Sequence, residues 1–287
     1  MYRIKIPLPP LDDQIRIATL LSRVEALIAT RKDNLRLLDE FLKSTFLEMF
    51  GDLLKNQKGF HITTLDKIKD KGKGTFSNGP FGSDLLTSEL NKTAGIPVIY
   101  IRDIKGGKFS WNSNVFVTKA KADSLPNCNA TIGDIVIAKV GDPPGITAIN
   151  IEFLEAIITQ DVIRLRVSRS KANPIYVQYF LNSEYGKWLV RKITIKGTRS
   201  RFPLKALKGL KIPLPPMELQ NNFSTIVEKV ESLKTLYQQN LNELENLYGG
   251  LSQKAFKGEL DLSRIPLEKQ PKPRMNTYKR EYLQGFS

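Results

Sequence analysis

A short basic segment in the last third of the chain carries the residue types best suited to contact a polyanion. Lys196-Gly197-Thr198-Arg199-Ser200-Arg201 places three cations and two hydroxyl groups in six consecutive residues. Lysine and arginine neutralise phosphates, hydroxyls beside glycine suit contacts with a sugar-phosphate backbone, and arginine also reaches the O6 and N7 atoms of guanine. A solvated loop is the alternative. The candidates for nucleic-acid contact here are Lys196, Thr198, Arg199, Ser200 and Arg201.

Other segments offer related chemistry. The Gly- and Pro-rich run Ser77–Ser83 has backbone N–H groups that could approach a phosphate, although an ordinary turn is equally compatible with it. A basic and aromatic cluster follows a predicted strand, and one more lysine ends another strand. These segments add the candidates Asn78, Ser83, Arg102, Lys105, Lys108, Trp111 and Lys139.

One motif suggests catalysis, but it is incomplete. Asp142-Pro143-Pro144 matches the start of the Asp-Pro-Pro-aromatic motif of DNA amino-methyltransferases, where the aromatic ring stacks on a flipped base. Gly145 stands in the ring's place, so we predict a turn over Gly141–Gly145. The chain also has no Gly-rich phosphate or cofactor loop, and it has a single histidine and a single cysteine. We therefore predict no catalytic residues and no metal site.

The positive charge is concentrated in the middle of the chain. The formal net charge is +15, and the segment Lys55–Lys211 holds 26 Lys or Arg against 12 Asp or Glu. Each phosphate that such a surface neutralises releases condensed counterions, which favours binding to nucleic acid. The segments on either side are nearly neutral and must serve another purpose.

The same central segment has a mixed α/β pattern. Runs rich in β-branched residues predict strands over Ile96–Ile104, Asp134–Val140 and Ala156–Val167. Asn173-Pro174 then predicts a helix that continues to about Ile193. Its aromatic face, Tyr176, Phe180 and Trp188, is predicted to belong to the core rather than to a base-stacking surface.

A repeated phrase brackets the basic segment. Lys5-Ile6-Pro7-Leu8-Pro9-Pro10 returns as Lys211-Ile212-Pro213-Leu214-Pro215-Pro216, and a long narrow apolar stripe follows each copy. This pattern predicts two long helices that pair as an antiparallel coiled-coil stalk, the alternative being two helices packed separately on the globular domain. The residues expected in the stalk or at a dimer contact are Leu20, Val24, Leu27, Arg31, Leu38, Val230, Leu233, Tyr237, Leu244 and Leu251.

Together these motifs resemble a known family. The phrases I-P-L-P-P-L-D-D-Q-I-R-I-A, G-P-F-G-S, G-I-P-V-I-Y-I-R, G-D-I-V-I-A-K, T-Q-D-V-I-R-L and K-G-T-R-S-R-F-P-L-K are similar to those of the DNA specificity subunit of type I restriction-modification systems. The resemblance implies an α+β fold in which one mixed α/β target-recognition domain is flanked by the two long helices. The expected boundaries are 1–53 for the first helical region, 54–209 for the recognition domain, 210–262 for the second helical region and 263–287 for a flexible basic tail.

The resemblance also implies partners. The chain would be a non-catalytic, sequence-specific double-stranded DNA-binding subunit that reads one half of a bipartite site and docks modification (methyltransferase) and restriction subunits. S-adenosylmethionine is expected in the modification subunit, and no cofactor is expected in this chain. Because only one recognition domain is predicted, a half-subunit form is expected, and we favour a homodimer over pairing with a different half.

Other functions remain open at this stage. The chain could be a DNA methyltransferase in its own right, or a basic adaptor that binds RNA or acidic protein. No run of eighteen apolar residues occurs and the first thirty residues do not resemble a signal peptide, so we predict a cytoplasmic protein without a membrane partner.

Overall fold

The computed structural model describes residues 8–267, which belong to two compact units. One unit is Phe41–Val230, and the other contains the residues up to Glu40 and from Glu231 onward. The predicted recognition domain, 54–209, falls inside the first unit. The predicted tail beyond residue 267 and the first residues of the first proline phrase lie outside the described residues. The predicted domain boundaries stay predictions.

The described elements follow one another in a mixed order. In chain sequence they are α1 (Leu11–Phe50), β1 (His61–Thr64), α2 (Leu65–Ile68), β2 (Phe76–Asn78), β3 (Ile96–Ile99), β4 (Ile104–Lys105), β5 (Lys108–Phe109), β6 (Phe116–Val117), α3 (Lys119–Asp123), β7 (Asn129–Ala130), β8 (Ile135–Ala138), β9 (Thr147–Ile149), β10 (Ala156–Ile158), β11 (Val162–Leu165), α4 (Pro174–Asn182), α5 (Glu184–Ile193), α6 (Leu204–Lys208), β12 (Lys211–Leu214) and α7 (Met217–Lys257).

The sequence repeat is also a structural repeat. α1 and α7 both begin just after a pair of prolines, and in each a glutamine side chain of the first turn hydrogen-bonds back to the segment before the helix. The Gln14 side chain donates to the Pro9 carbonyl at 2.8 Å, and the equivalent Gln220 donates to the Pro215 carbonyl at 2.7 Å. Each helix thus has one of its flanking carbonyls satisfied in the same way. The two long helices predicted from the apolar stripes are confirmed.

Within the unit formed by the chain's outer segments, the two helices run antiparallel. Lys32 of α1 pairs with Glu245 of α7 at 2.8 Å, while the later Asp39 pairs with the earlier Lys234. The guanidinium of Arg31 lies 4.3 Å from the ring centroid of Tyr237, a cation–π contact. The antiparallel pairing is therefore confirmed, whereas a projecting coiled-coil stalk stays a prediction.

In the Phe41–Val230 unit, two four-stranded sheets share one hydrophobic core. The first sheet has the order β2-β11-β8-β9 and is antiparallel throughout. The second has the order β6-β3-β10-β7, in which β3 and β10 are parallel. Buried residues of both sheets, including Val98, Ile157, Val136 and Val162, belong to one cluster. This arrangement matches the predicted mixed α/β fold.

The helices of the same unit pack together through aromatic side chains. The end of α1, the start of α7 and α4 meet in an aromatic cluster. The rings of Phe46, Phe50 and Tyr179 lie against the buried Phe223, and Tyr176 packs on Phe50. The hydroxyl of Tyr176 donates to the carbonyl of Pro213 at 2.6 Å, and burial raises the pKa of this phenol. Pro213 lies in β12, which pairs with β1. The second copy of the proline-rich repeat therefore forms a β-strand and also directly precedes a long helix.

Three predicted elements are wrong in extent. The strand expected over Ile96–Ile104 ends at Ile99, because the chain turns into a 3-10 helix over Ile101–Asp103. The single strand expected over Ala156–Val167 is two strands in different sheets, because the Thr159–Asp161 turn transfers the chain from β10 to β11. The single helix expected from Pro174 to Ile193 is broken at Ser183, which has an extended backbone and whose hydroxyl accepts from Gly186 N at 3.1 Å. Tyr176 and Phe180 are fully buried, as predicted for the core, and Trp188 is half-buried.

Candidate nucleic-acid interface

One end of the β2-β11-β8-β9 sheet collects most of the polar candidates. Neighbouring strands of this sheet are antiparallel, so strand starts and strand ends alternate along each edge. This edge contains the end of β2, the start of β11, the end of β8 and the start of β9. The segments that leave or enter the sheet here are Asn78–Ser83, Thr159–Asp161 and Lys139–Gly145. We call this surface, together with the basic segment Lys196–Arg201, the loop face.

The basic segment is fixed to this end by backbone contacts. Arg201 forms a β-bridge with Val140 and another with Ile195, so the residues between Ile195 and Arg201 form a closed loop. The N–H of Gly141 donates to the Ser200 carbonyl at 3.3 Å. The side chains of Lys196, Thr198, Arg199 and Arg201 are exposed, and Ser200 is half-buried. The backbone therefore holds the loop while its cations face outward.

Lys139 and Arg201 lie close enough together in the loop face for their charges to interact. Burial lowers the pKa of the Lys139 ammonium, Asp161 raises it and the nearby Arg201 guanidinium lowers it. The backbone of Asp161 also contacts Lys139, because its main-chain carbonyl accepts from the N–H of Lys139 at 2.8 Å. A phosphate placed here would be attracted by two cations whose positions the strands determine.

The Gly-Pro segment after β2 lies against the turn between the sheets. A Cβ on Gly79 would come within 2.0 Å of the Thr159 carbonyl oxygen, so only glycine allows this approach. Ser83 is exposed. Asn78 is half-buried, and its Oδ1 is buried without a hydrogen-bond partner among the described residues.

The cluster after β3 is divided between two environments. Gly107, between Lys105 and Lys108 in the β4–β5 hairpin, lies beside the start of β9, which brings this hairpin to the loop face. Arg102 instead stacks on Tyr100, with its guanidinium 4.3 Å from the ring centroid, and donates to Ser113 Oγ at 2.8 Å. Trp111 donates its indole N–H to the Val98 carbonyl at 3.2 Å and packs against the core. Their roles as DNA contacts stay predictions.

Sequence reasoning missed two features of this surface. The Thr159–Asp161 turn carries the chain from one sheet to the other, and it is held to β3 because the backbone N–H and the hydroxyl of Thr159 both donate to the Ile99 carbonyl. Its signal was the polar triplet Thr-Gln-Asp within a β-branched run. Lys192, near the end of α5 and four residues before Lys196, is a further exposed cation, with its ammonium 3.6 Å from the Trp188 ring centroid.

The Asp-Pro-Pro-Gly segment is the turn between β8 and β9. The N–H of Gly145 donates to the Ala138 carbonyl at 2.7 Å, which closes the turn, and a Cβ on Gly145 would meet Val190 of α5 at 2.7 Å. The predicted turn is confirmed. In residues 8–267, His, Cys, Asp and Glu side chains form no group of three that could hold a metal ion.

The candidates on the long helices fall into three environments. Val24 and Val230 are buried, while Leu27 and Leu233 are exposed. Arg31 and Tyr237, which occupy equivalent positions in the two copies of the repeat, contact each other. The remaining candidates, Leu20, Leu38, Leu244 and Leu251, are half-buried. A surface pocket of about 320 Å³ is lined by Leu27, Arg31, Asn240, Glu243, Leu244 and Leu247.

This arrangement can be compared with known families. Residues 81–246 match the family model described as the type I restriction modification DNA specificity domain. The chain belongs to this family. The matched range contains β3 to β12, most of α7 and nearly all of the loop face. Because the family is described by DNA specificity and its relatives are specificity subunits, the prediction that this chain is not an enzyme is confirmed.

Individual relatives agree. The chain is 26% identical over 254 residues to the type I restriction enzyme MjaVIII specificity subunit of Methanocaldococcus jannaschii. The alignment covers 84% of this chain and 59% of that protein. It is 27% identical over 278 residues to the EcoBI specificity subunit of Escherichia coli, covering 89% of this chain and 58% of that protein. The chain thus spans somewhat more than half the length of these relatives.

A solved structure shows the same fold. The S subunit of a type I restriction-modification system from M. genitalium matches with a TM-score of 0.51 at 18% identity, covering 86% of this chain and 61% of that chain. Among the residues described here, no helix is both long and apolar enough to cross a lipid bilayer.

Proposed function

We propose that this chain is the DNA-reading component of a type I restriction-modification complex, and that the loop face binds one half of a bipartite double-stranded DNA site. The observation that carries the proposal is the gathering of cationic, hydroxyl and amide side chains at one end of the sheet in a chain of this family. Arginine, asparagine and serine are the side chains that read base edges and phosphates together.

The contacts of the loop face favour DNA over an acidic protein. Its cations extend from strand ends and from a loop closed by two β-bridges, so the main chain that carries them is already in place before binding. Recognition of a base sequence needs such fixed donors, since a displaced donor loses its bidentate contact. We assign no catalytic residue, metal or cofactor to this chain. The methyl donor, S-adenosylmethionine, belongs in the proposed modification subunit.

The experiment is a binding selection. The purified chain is incubated with random duplexes at physiological salt, the bound fraction is amplified through repeated rounds, and the enriched sequences are read. We expect a defined motif, bound roughly a thousand-fold or more tightly than random duplex. Enrichment of no motif, with affinity that disappears as salt rises, would instead identify a general polyanion adaptor. Methyl transfer by the isolated chain would identify a methyltransferase.

We further propose that two copies of the chain form the complete reader. Exposed leucines on the long helices, including Leu27, Leu233 and Leu247, offer apolar area for a second copy, and one α/β unit is described in residues 8–267. The helices are also the proposed docking elements for the modification and restriction subunits. Such a complex acts on chromosomal DNA, so we place it in the cytoplasm.

A further inference from the structure

A second group of cations lies at the opposite end of the same sheet. There β2 begins, β11 ends and β8 begins, and the adjoining segments carry Lys67, Lys71, Lys73 and Arg169. We call these four residues the lysine face. Backbone contacts join the segments, because Lys69 forms a β-bridge with Val167 and the N–H of Asp70 donates to the Arg166 carbonyl at 2.8 Å.

The charge of the lysine face is not neutralised. Lys67, Lys71, Lys73 and Arg169 are exposed, and none of them forms an ion pair within the described part of the chain. The nearby carboxylates are engaged with other groups. Asp70 accepts from the backbone N–H of Lys71 at 2.8 Å. The hydrogen bond to Asp134 raises the pKa of Arg166, and the charge of Asp70 raises it further. Asp66 accepts from Lys69 at 2.9 Å and lies 4.0 Å from Lys208, and Asp134 is held by Arg166 at 2.7 Å.

The residue types indicate which polyanion would bind. Three of the four cations are lysines, and the neighbouring Lys171, whose ammonium donates to the Lys67 carbonyl at 2.9 Å, extends the group. Lysine is a compact point charge that suits phosphate contact without base reading, whereas protein–protein interfaces are depleted in lysine and enriched in arginine and aromatic residues. The loop face, by contrast, combines its lysines with two arginines, hydroxyls and an amide. The two ends of the sheet therefore suit different kinds of contact.

We propose that the lysine face binds the phosphate backbone of a second DNA segment, without sequence preference, while the loop face holds the first. The two faces lie at opposite ends of β11, which has four residues. At roughly 3.3 Å per residue the strand is about 13 Å long, and the loops at its two ends increase the distance between the faces. Because the two faces lie at opposite ends of the paired strands, each is expected to contact its own duplex. The chain would bridge two DNA segments. The inference rests on the proposed function for the first segment only.

The test is a bridging assay with the full chain. One duplex of about 20 base pairs is immobilised, a fluorescent duplex of unrelated sequence is added at low salt, and the fluorescence captured on the beads is measured. Wild-type chain is expected to capture the free duplex. Lys71→Glu/Lys73→Glu is expected to bind the immobilised duplex but to capture about ten-fold less of the free one, because two phosphate contacts become repulsive.

Controls keep the outcomes distinct. Lys254→Glu/Lys257→Glu makes the same charge change at exposed positions near the end of α7 and is expected to capture as wild type does. Unchanged capture by Lys71→Glu/Lys73→Glu, or retention of polyglutamate in place of duplex by the wild type, would overturn the proposal. Failure of the proposed function appears differently, as unchanged binding to the immobilised duplex in Arg199→Ala/Arg201→Ala. Thermal unfolding confirms that each variant is folded.

Discussion

At the scale of single residues, the loop face separates backbone roles from side-chain roles. The β-bridges of Arg201 use its main chain, so its guanidinium is available for a ligand. Arg199 lies in the same closed loop and is exposed. Substituting these side chains should therefore remove contacts to DNA without opening the loop.

We predict that Arg199→Ala or Arg201→Ala weakens binding to the selected duplex. A bidentate contact to guanine is worth about 1–3 kcal/mol, whereas a phosphate contact lowers the salt slope by about one unit and affects all sequences alike. Titrations at two salt concentrations with selected and random duplexes distinguish these two roles. Lys254→Ala serves as the control, and unchanged affinity for both arginine variants at physiological salt would exclude this loop from the contact surface.

Gly79 and Gly82 offer a matched pair of substitutions. A Cβ on Gly79 would lie 2.0 Å from the Thr159 carbonyl oxygen, which is backbone, whereas a Cβ on Gly82 would meet only the side-chain oxygen of Gln160 at 3.6 Å. We predict that Gly79→Ala lowers the free energy of unfolding by about 1–3 kcal/mol and weakens DNA binding, because the segment must move. Gly82→Ala should change neither. Equal effects of both variants in denaturant titrations would contradict the close approach.

At the scale of elements, the aromatic cluster joins three helices that are distant in sequence. The ring of Phe223 on α7 contacts aromatic rings of α1 and α4. Its centroid lies 5.3 Å from that of Phe46 on α1 and 5.0 Å from that of Tyr179 on α4. It is completely buried. Phe223 thus contributes to the packing of the start of α7 against the domain, alongside Gln220, which accepts from the Asn173 N–H at 2.9 Å.

We predict that Phe223→Ala lowers the free energy of unfolding by about 3–5 kcal/mol, because it removes a buried ring and leaves a cavity. Phe223→Leu should cost less, since more of the volume is retained. Urea unfolding measures both. The exposed Phe256 of the same helix provides the control, and Phe256→Ala should change stability by less than about 0.5 kcal/mol.

At the scale of the whole molecule, the proposed homodimer makes two predictions. The first concerns mass: light scattering of the purified chain at micromolar concentration should give a dimer. Leu27→Glu/Leu247→Glu places charges on exposed apolar positions of the long helices and should weaken the dimer roughly a hundred-fold or more, because unpaired charges would be buried. A wild-type monomer under these conditions would contradict the homodimer.

The second concerns the DNA site. Two copies related by a dyad should read two identical, inverted half-sites separated by a spacer of constant length. Mapping methylated adenines in DNA from the host measures both half-sites and the spacer together. Two different half-sites would show instead that this chain pairs with a different half.

Much of the architecture could be predicted from the sequence. The repeated proline phrase and the apolar stripes determined two long helices, since a three-and-four spacing has only one regular interpretation at that length. The charge count located the basic segment, and the individual basic clusters were identified by residue type. These features depend on local pattern and composition, which the sequence states directly.

Only the tertiary structure decided which clusters meet. The antiparallel order β2-β11-β8-β9 places Asn78–Ser83, Lys139 and Lys196–Arg201 at one end and Lys67–Lys73 with Arg169 at the other. It also gave Trp111 and Arg102 partners within the protein, and divided a continuous β-branched run between two sheets at Thr159. The physical reason is that strand pairing joins residues far apart in the chain, and neither residue type nor local periodicity records which strands pair.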